Sequence, residues 1–185
     1  MENKKTALFY VRTALTLCLI AGVMAGLLAG INAFTGNRIE NAKMSERKAA
    51  IEKIFGESDV LEESLPEDSD ECIDSIYAVS SGEALLGYAV YCTPAGYGGK
   101  EIEMIVGING GGAVKEILII ADNQTAGIGD KVNNREWLAL FEEKDKDSYN
   151  GVDIIAGATK SSAAVDRAVR ASLALFPFTE KEGDK

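Results

Sequence analysis

Thr159, Ser161 and Ser162 are the residues whose type and placement best suit chemistry. They follow the run Asp153-Ile154-Ile155-Ala156-Gly157-Ala158, which ends in a Gly-Ala turn. Beyond them, Val165, Ala168, Val169, Ser172, Leu173 and Phe176 recur at i, i+3, i+4 spacing, the pattern of an amphipathic helix. The spacing places Thr159 at or next to a helix N-cap, with Lys160, Ser161 and Ser162 in the first turn. A helix start carries unpaired N–H groups and the positive end of the helix dipole, so it is a natural seat for a phosphate group. Plain capping is the ordinary use of such hydroxyls. No Gly-Lys-Ser/Thr follows a glycine at the spacing of a Walker loop.

The elements that would hold this helix start are mostly strands. Ile76–Val79 and Ala84–Tyr91 are rich in aliphatic and aromatic residues and are separated by a Ser-Gly turn. Ile102, Met104 and Val106 alternate with Glu101, Glu103 and Ile105. The Asn109-Gly110-Gly111-Gly112 turn then returns a strand over Val114–Ala121, a hairpin pattern. This glycine cluster joins strand to strand and is not a dinucleotide fingerprint. Two further loops are glycine-rich, one over Pro94–Lys100 and one over Asp122–Gly129. A helix is expected around Asn134–Glu143, carrying Trp137, Leu138, Leu140 and Phe141. Another is expected over Asn37–Phe55, with Gly56 as its stop. Between them, Glu57–Glu71 holds eight acidic residues and no basic one, and reads as a solvated linker or loop.

Composition narrows the chemistry. The 185 residues include no histidine, which removes His-ligated haem, most zinc catalysis and every Ser-His or Cys-His nucleophile pair. The three cysteines are isolated, with no Cys-x-x-Cys, so an iron–sulfur cluster held by this chain alone is disfavoured. Cys72 and Cys92 read as two ordinary thiols, with a disulfide in an oxidising compartment as the other reading. Beyond residue 34 the net charge is −12, from 16 basic and 28 acidic residues, which argues against a nucleic-acid partner. A redox role would need a borrowed organic cofactor. No metal site is expected.

From Thr13 to Phe34, 22 residues carry no charge. As a helix this is about 33 Å, enough to cross a bilayer core. The run is long for a cleaved signal peptide and lacks a good cleavage pattern, so a retained single anchor is expected. Gly22, Gly26 and Gly30 share one face, as in helices packed closely in lipid. Basic residues flank both ends, so charge does not set orientation.

The run Asp153–Thr159 resembles the flavin-attachment motif of the FMN-binding domain family, Asp-x-x-Ser/Thr-Gly-Ala-Thr, with Ala156 in place of the first hydroxyl residue. Gly96-Tyr97-Gly98-Gly99 resembles the family's Gly-Tyr-Gly-Gly loop. Gln124-Thr125-Ala126-Gly127-Ile128-Gly129 resembles its Glu-Thr-Pro-Gly-Leu-Gly loop, with Gln124 and Ala126 replacing the acid and the proline. That family includes the G subunit of the Rnf-type ion-translocating electron-transport complex and the C subunit of the sodium-pumping NADH:quinone oxidoreductase. Three motifs in the family order and the N-terminal anchor carry the resemblance, and the shorter length and single compact domain favour the Rnf-type member.

The resemblance implies FMN joined through a phosphoester to Thr159. It places Gly157, Ala158, Lys160, Ser161, Ser162, Thr125, Gly127, Gly129, Gly98 and Gly99 around the cofactor. Asp153 would be recognised by the flavin transferase that matures the protein. Tyr97 and Trp137 are aromatic candidates for lying against the ring, beside their ordinary use in packing. The implied protein is a redox subunit of a multi-subunit ion-translocating oxidoreductase, not active alone. It would relay electrons between ferredoxin and NAD as sodium or protons move. Its partners would be other membrane subunits, the transferase and membrane lipid, with the FMN domain outside the cytoplasm. A lone FMN carrier, a quinone-reductase-type subunit and a flavin-free membrane-anchored adaptor remain as alternatives. The expected fold is α+β: a tail and transmembrane anchor over residues 1–35, a membrane-proximal helix and acidic linker over 36–71, an FMN-binding domain of antiparallel strands and packed helices over 72–178, and a polar tail over 179–185.

Overall fold

A computed structural model describes residues 2–63, 65–66, 69–122, 124 and 129–176. Helix α1 runs over Glu2–Phe55. The chain divides into two units, Met1–Ser45 and Glu46–Lys185. In the first unit, Arg12–Asn32 is a 21-residue apolar stretch of mean hydropathy 2.3 with none of it buried. Its length of about 32 Å at 1.5 Å per residue suffices to cross a bilayer core.

The second unit is built on a five-stranded antiparallel sheet. Its strands are β1 (Asp59–Glu63), β2 (Ile73–Ser81), β3 (Ala84–Cys92), β4 (Ile102–Asn109) and β5 (Val114–Asp122), and they lie side by side in chain order. Short connections make this meander the natural result, because consecutive antiparallel strands pair without crossovers. The register sets Tyr77 opposite Ala89, Tyr91 opposite Ile105 and Met104 opposite Ile119. The turn between β4 and β5 is closed by the Asn109 side chain, whose Oδ1 accepts from the N–H groups of Gly111 and Ala113 at 2.9 and 3.0 Å.

Period-two alternation sorts the strand residues onto two buried faces. Val90, Cys92, Ile102, Met104, Val106, Ile108, Ile117 and Ile119 face a core shared with Trp137, Phe141, Val165, Val169 and Leu173. Tyr77, Val79, Ala89, Tyr91 and Ile105 face Ala50, Ile51, Ile54 and Phe55 at the end of α1. The sheet is therefore covered on both sides. Each fully buried aliphatic side chain contributes about 1.5–3 kcal/mol. At Gly107 a Cβ would lie 2.6 Å from Ile54 Cγ2, so a glycine lets α1 settle close against β4. As expected, Gly56 ends the helix: its φ is 87° and its N–H donates to Glu52 O at 2.9 Å.

Two expectations need correction. The acidic stretch after Gly56 is not all linker, since Asp59–Glu63 pairs with β2 as the sheet's edge strand. Its side chains are mostly exposed, and carboxylates on an edge discourage pairing with other chains. The helix expected over Asn134–Glu143 is cut to α2 (Arg135–Leu138) and a 3₁₀ turn over Ala139–Phe141. Asn134 caps it, accepting from Glu136 N and Trp137 N at 2.9 and 3.1 Å. Tertiary pairing then ends it: Glu143 N donates to Val114 O and Val114 N to Lys144 O, both at 2.8 Å, while Glu143 takes φ 62°. Trp137 and Phe141 are buried, but Leu140 is exposed.

Cys72 and Cys92 are free and buried. Burial, together with the Asp70 carboxylate, pushes the Cys72 thiol up to about 12, and burial raises Cys92 as well. A thiol raised in the folded state stabilises the fold below its unfolded value of 9.0 and loses that contribution as pH climbs toward about 12. The melting midpoint of the chain is expected to fall between pH 9 and 12, and Cys72→Ala should flatten part of that slope. Both thiols should resist alkylation at pH 8 until the domain is unfolded. Rapid alkylation of the native chain at either position would contradict this arrangement.

Candidate functional site

The site is assembled where three loops meet the start of helix α3 (Thr159–Ala174). Its N-cap is Ala158, one residue before Thr159, and this residue makes no side-chain cap to the first turn. Alanine is among the poorest N-cap residues, so this 16-residue helix keeps its leading N–H groups available to an outside acceptor. Ala158 is itself buried, and its N–H donates to Ile155 O at 3.0 Å. Gly157 lies just before it with φ 79°, a left-handed turn that glycine adopts without strain. The turn leaves Thr159 and Lys160 exposed on the first helical positions.

Ser161 and Ser162 are arranged differently from expectation. Both are fully buried. Ser162 Oγ donates back to Ala158 O at 2.9 Å, which occupies the hydroxyl within its own helix. Ser161 Oγ donates to Gln124 Oε1 at 2.9 Å. Their hydroxyls thus fasten the helix start to its surroundings, while Thr159 presents the accessible one.

Gln124 is the centre of this fastening. Its Oε1 accepts from Tyr97 N–H at 2.9 Å as well as from Ser161, and its Nε2 donates to Lys100 O at 2.7 Å. One amide therefore ties the 96–100 loop and the α3 start to the segment after β5. Glycines make room for it: a Cβ at Gly96 or Gly129 would lie 2.6 Å from Gln124 atoms. Gly129 is buried beside Ser161. Gly98 and Gly99 are exposed in a 3₁₀ turn over Tyr97–Gly99, with φ 72° and 74°. Tyr97 is 46% exposed and presents an open aromatic face next to the loop junction. Thr125 and Gly127 lie outside the described residues.

Asp153 is held through its backbone. Trp137 Nε1 donates to Asp153 O at 2.8 Å, while the Asp153 carboxylate is exposed. Trp137 is buried edge-to-face against Phe141, with ring centroids 5.0 Å apart. The indole therefore positions the segment that leads to Thr159 and is not a free stacking surface. Residues 149–152 are pinned from the other side by Asp166, whose Oδ1 accepts from Tyr149 Oη at 2.6 Å and Val152 N at 3.3 Å. Burial and the Asp166 carboxylate raise the Tyr149 phenol well above its ordinary value, so it stays a donor. Trp137→Phe keeps the ring packing but removes the bond to Asp153 O. It is expected to cost about 1–2 kcal/mol of stability and to slow any modification of Thr159. Unchanged melting and unchanged modification would show that the segment does not depend on the indole.

Sequence patterns marked Gln124 only as a departure from a motif, and gave no sign of the Trp137 and Asp166 contacts. The two serines were legible in principle. The buried stripe Val165, Ala168, Val169 and Ser172, continued backward by three and four residues, lands on Ser162 and Ser161.

An FMN-binding domain profile matches residues 96–174, and an RnfG N-terminal region profile matches residues 6–54. The chain is similar to RnfG-type FMN-binding proteins over both regions. The G subunit of the Na(+)-translocating ferredoxin:NAD(+) oxidoreductase complex of Acetobacterium woodii is 26% identical, across 92% of this chain and 93% of that one. The G subunit of the ion-translocating oxidoreductase complex of Pasteurella multocida is 26% identical across 93% and 94%. The G subunit of the proton-translocating ferredoxin:NAD(+) oxidoreductase complex of Clostridium ljungdahlii is 29% identical across 51% and 55%. The FMN-binding match covers all three loops of the site as well as α3.

Proposed function

We propose that this chain is the membrane-anchored, electron-carrying subunit of an ion-translocating oxidoreductase complex, and that it carries FMN as a phosphoester on Thr159. The observation that supports the attachment is an exposed threonine on the first position of a helix whose N-cap residue, Ala158, makes no side-chain cap. A phosphodiester formed there meets backbone N–H groups and the positive end of the helix dipole. Attachment joins Thr159 Oγ to the phosphorus of an activated flavin nucleotide as the donor's anhydride P–O bond breaks. A separate transferase carries out this step, and the exposed Asp153 carboxylate is its recognition point.

The residues present fit the group. Gly157 turns the chain so that Thr159 faces outward. Gly98 and Gly99 present bare backbone on the surface that Tyr97 flanks, a place where a flat ring can approach without meeting Cβ atoms. Gln124 and Ser161 hold these pieces together beneath the surface. FMN supplies the ability to accept one or two electrons and pass them singly. The protein supplies tethering, so the cofactor is retained where no flavin pool would replace it.

The apolar helix over Arg12–Asn32 anchors the chain in a single pass, with the FMN domain outside the cytoplasm. No aspartate or glutamate lies within that stretch, so the translocated ion, sodium or proton, passes through partner subunits. Electrons run between ferredoxin and NAD across the assembled complex. The RnfG N-terminal match over the anchor supports a complex subunit over a lone carrier or a quinone-reductase-type subunit. Two purifications test the reading, one of chain matured with its transferase and one without. The expected result is denaturation-resistant flavin in the first only, with other membrane subunits accompanying the chain. Flavin-free protein in both would remove the carrier function, and a flavinylated chain purifying alone would leave a lone carrier.

A further inference from the structure

Lys131 sits in a 3₁₀ turn over Asp130–Val132 that follows Gly129. Val132 is fully buried, and the turn is closed by Asn133 N donating to Asp130 O at 3.0 Å, so the backbone carrying Lys131 is fixed. Its side chain reaches across to the attachment turn. Lys131 Nζ lies 3.2 Å from the place a Cβ would occupy on Gly157. Any side chain there would compete with the ammonium for this space. Gly157 is two residues before Thr159. Among the described residues no carboxylate pairs with Lys131, whereas Arg170 pairs with Asp166 and Lys48 with Glu52. Among the described residues, then, this exposed ammonium has no carboxylate partner, and it lies over the turn that presents the exposed threonine.

We infer that Lys131 is the counter-ion of the phosphodiester on Thr159, a positioning residue that holds the phosphate against the helix start. The inference rests on the reading that Thr159 carries the flavin. A phosphodiester keeps one negative charge throughout the working pH range. The helix start offers it N–H donors and a partial positive charge, and Lys131 adds a full one from the other side. Close to the surface, this pairing should be modest and salt-sensitive. The same charge would favour the incoming flavin nucleotide during attachment, because its phosphates are anionic.

The test uses the full chain matured with its transferase, as wild type, Lys131→Gln and Lys131→Arg, with Lys48→Gln as a surface control. Intact mass gives the rate and extent of loading. Phosphorus NMR of the loaded protein reports the phosphate's surroundings directly. Lys131→Gln is expected to load roughly two- to fivefold more slowly at low salt, the size of an exposed ion pair, and high salt should narrow the gap. Its phosphorus resonance should move, and Lys131→Arg should return both readouts toward wild type. The gain in melting temperature on loading should also be smaller in Lys131→Gln. An unchanged rate together with an unmoved resonance, in Lys131→Gln that melts normally, overturns the inference while leaving the flavin attachment standing. A wild-type chain that takes no flavin from an active transferase removes the attachment itself. Circular dichroism of the unloaded variants guards against a folding defect.

Discussion

Thr159→Ala is expected to carry no covalent flavin while folding as the wild type does. The two effects separate because Thr159 is exposed, so removing its hydroxyl disturbs no buried packing. A surface substitution of this kind changes stability within about 0.5 kcal/mol. The loss of flavin should nonetheless be complete, since the neighbouring hydroxyls cannot substitute. Ser161 and Ser162 are fully buried, and their oxygens are committed to Gln124 and to Ala158 O. Thr159→Ser keeps an oxygen in place but loses the γ-methyl that restricts the side chain, so reduced loading is expected. Thr159→Val keeps the shape without the oxygen and should behave as alanine does. Flavin fluorescence of denatured protein on a gel, with thermal melting alongside, measures both halves. Covalent flavin persisting in Thr159→Ala would put the attachment elsewhere and undo the account of the helix start.

Gln124→Leu should be the most damaging single change at the loop junction. Leucine is similar in size but makes no hydrogen bond. Tyr97 N–H, Ser161 Oγ and Lys100 O would all lose their Gln124 partner in a partly or fully buried place. At about 1–3 kcal/mol for each abandoned group, with partial rescue by water, the cost should be on the order of 3–5 kcal/mol. For a domain of this size that corresponds to a melting temperature lower by roughly 10–15 °C. Loading of Thr159 should fall with it, because the same amide aligns the start of α3. Gln124→Glu gives a sharper reading. A carboxylate still accepts from Tyr97 and Ser161 but has no proton to donate to Lys100 O, and the two oxygens repel. That raises the carboxyl's folded-state pKa above its unfolded value. The variant should therefore be penalised at neutral pH and should recover as pH falls through the raised value, when a protonated carboxyl donates again. A Gln124→Leu chain that melts and loads like wild type would show that the three loops hold together without the amide.

What the sequence disclosed follows physical lines. Strands β2 to β5 were legible because their residues alternate between two buried faces, as Ile102, Met104 and Val106 do against Ile105. Strand β1 was hidden. An edge strand needs no apolar face of its own, and Asp59, Glu62 and Glu63 give the composition of a solvated loop. The short α2 was overestimated for the opposite reason. Its apolar residues continue the helical period, but residues 143 and 144 pair with Val114, at the far start of β5, and no local pattern contains that partner. At the site, the type and order of Gly157, Ala158 and Thr159 marked a turn that leads into a helix start with an exposed hydroxyl. The roles of the neighbouring polar residues depend on which way each side chain turns. Ser161 turns inward to an amide 37 positions earlier, and Lys131 reaches Gly157 from a separate turn. Such contacts belong to the tertiary fold.

Peptide mapping by tandem mass spectrometry of the wild-type chain, purified after maturation by its transferase, tests the attachment most directly. The expected result is a mass gain of one FMN less one water, confined to the peptide that contains Thr159 and localised by fragmentation to its side chain. An unmodified Thr159 peptide from a preparation whose transferase demonstrably flavinylates another substrate, or the same mass on a different residue, would contradict it.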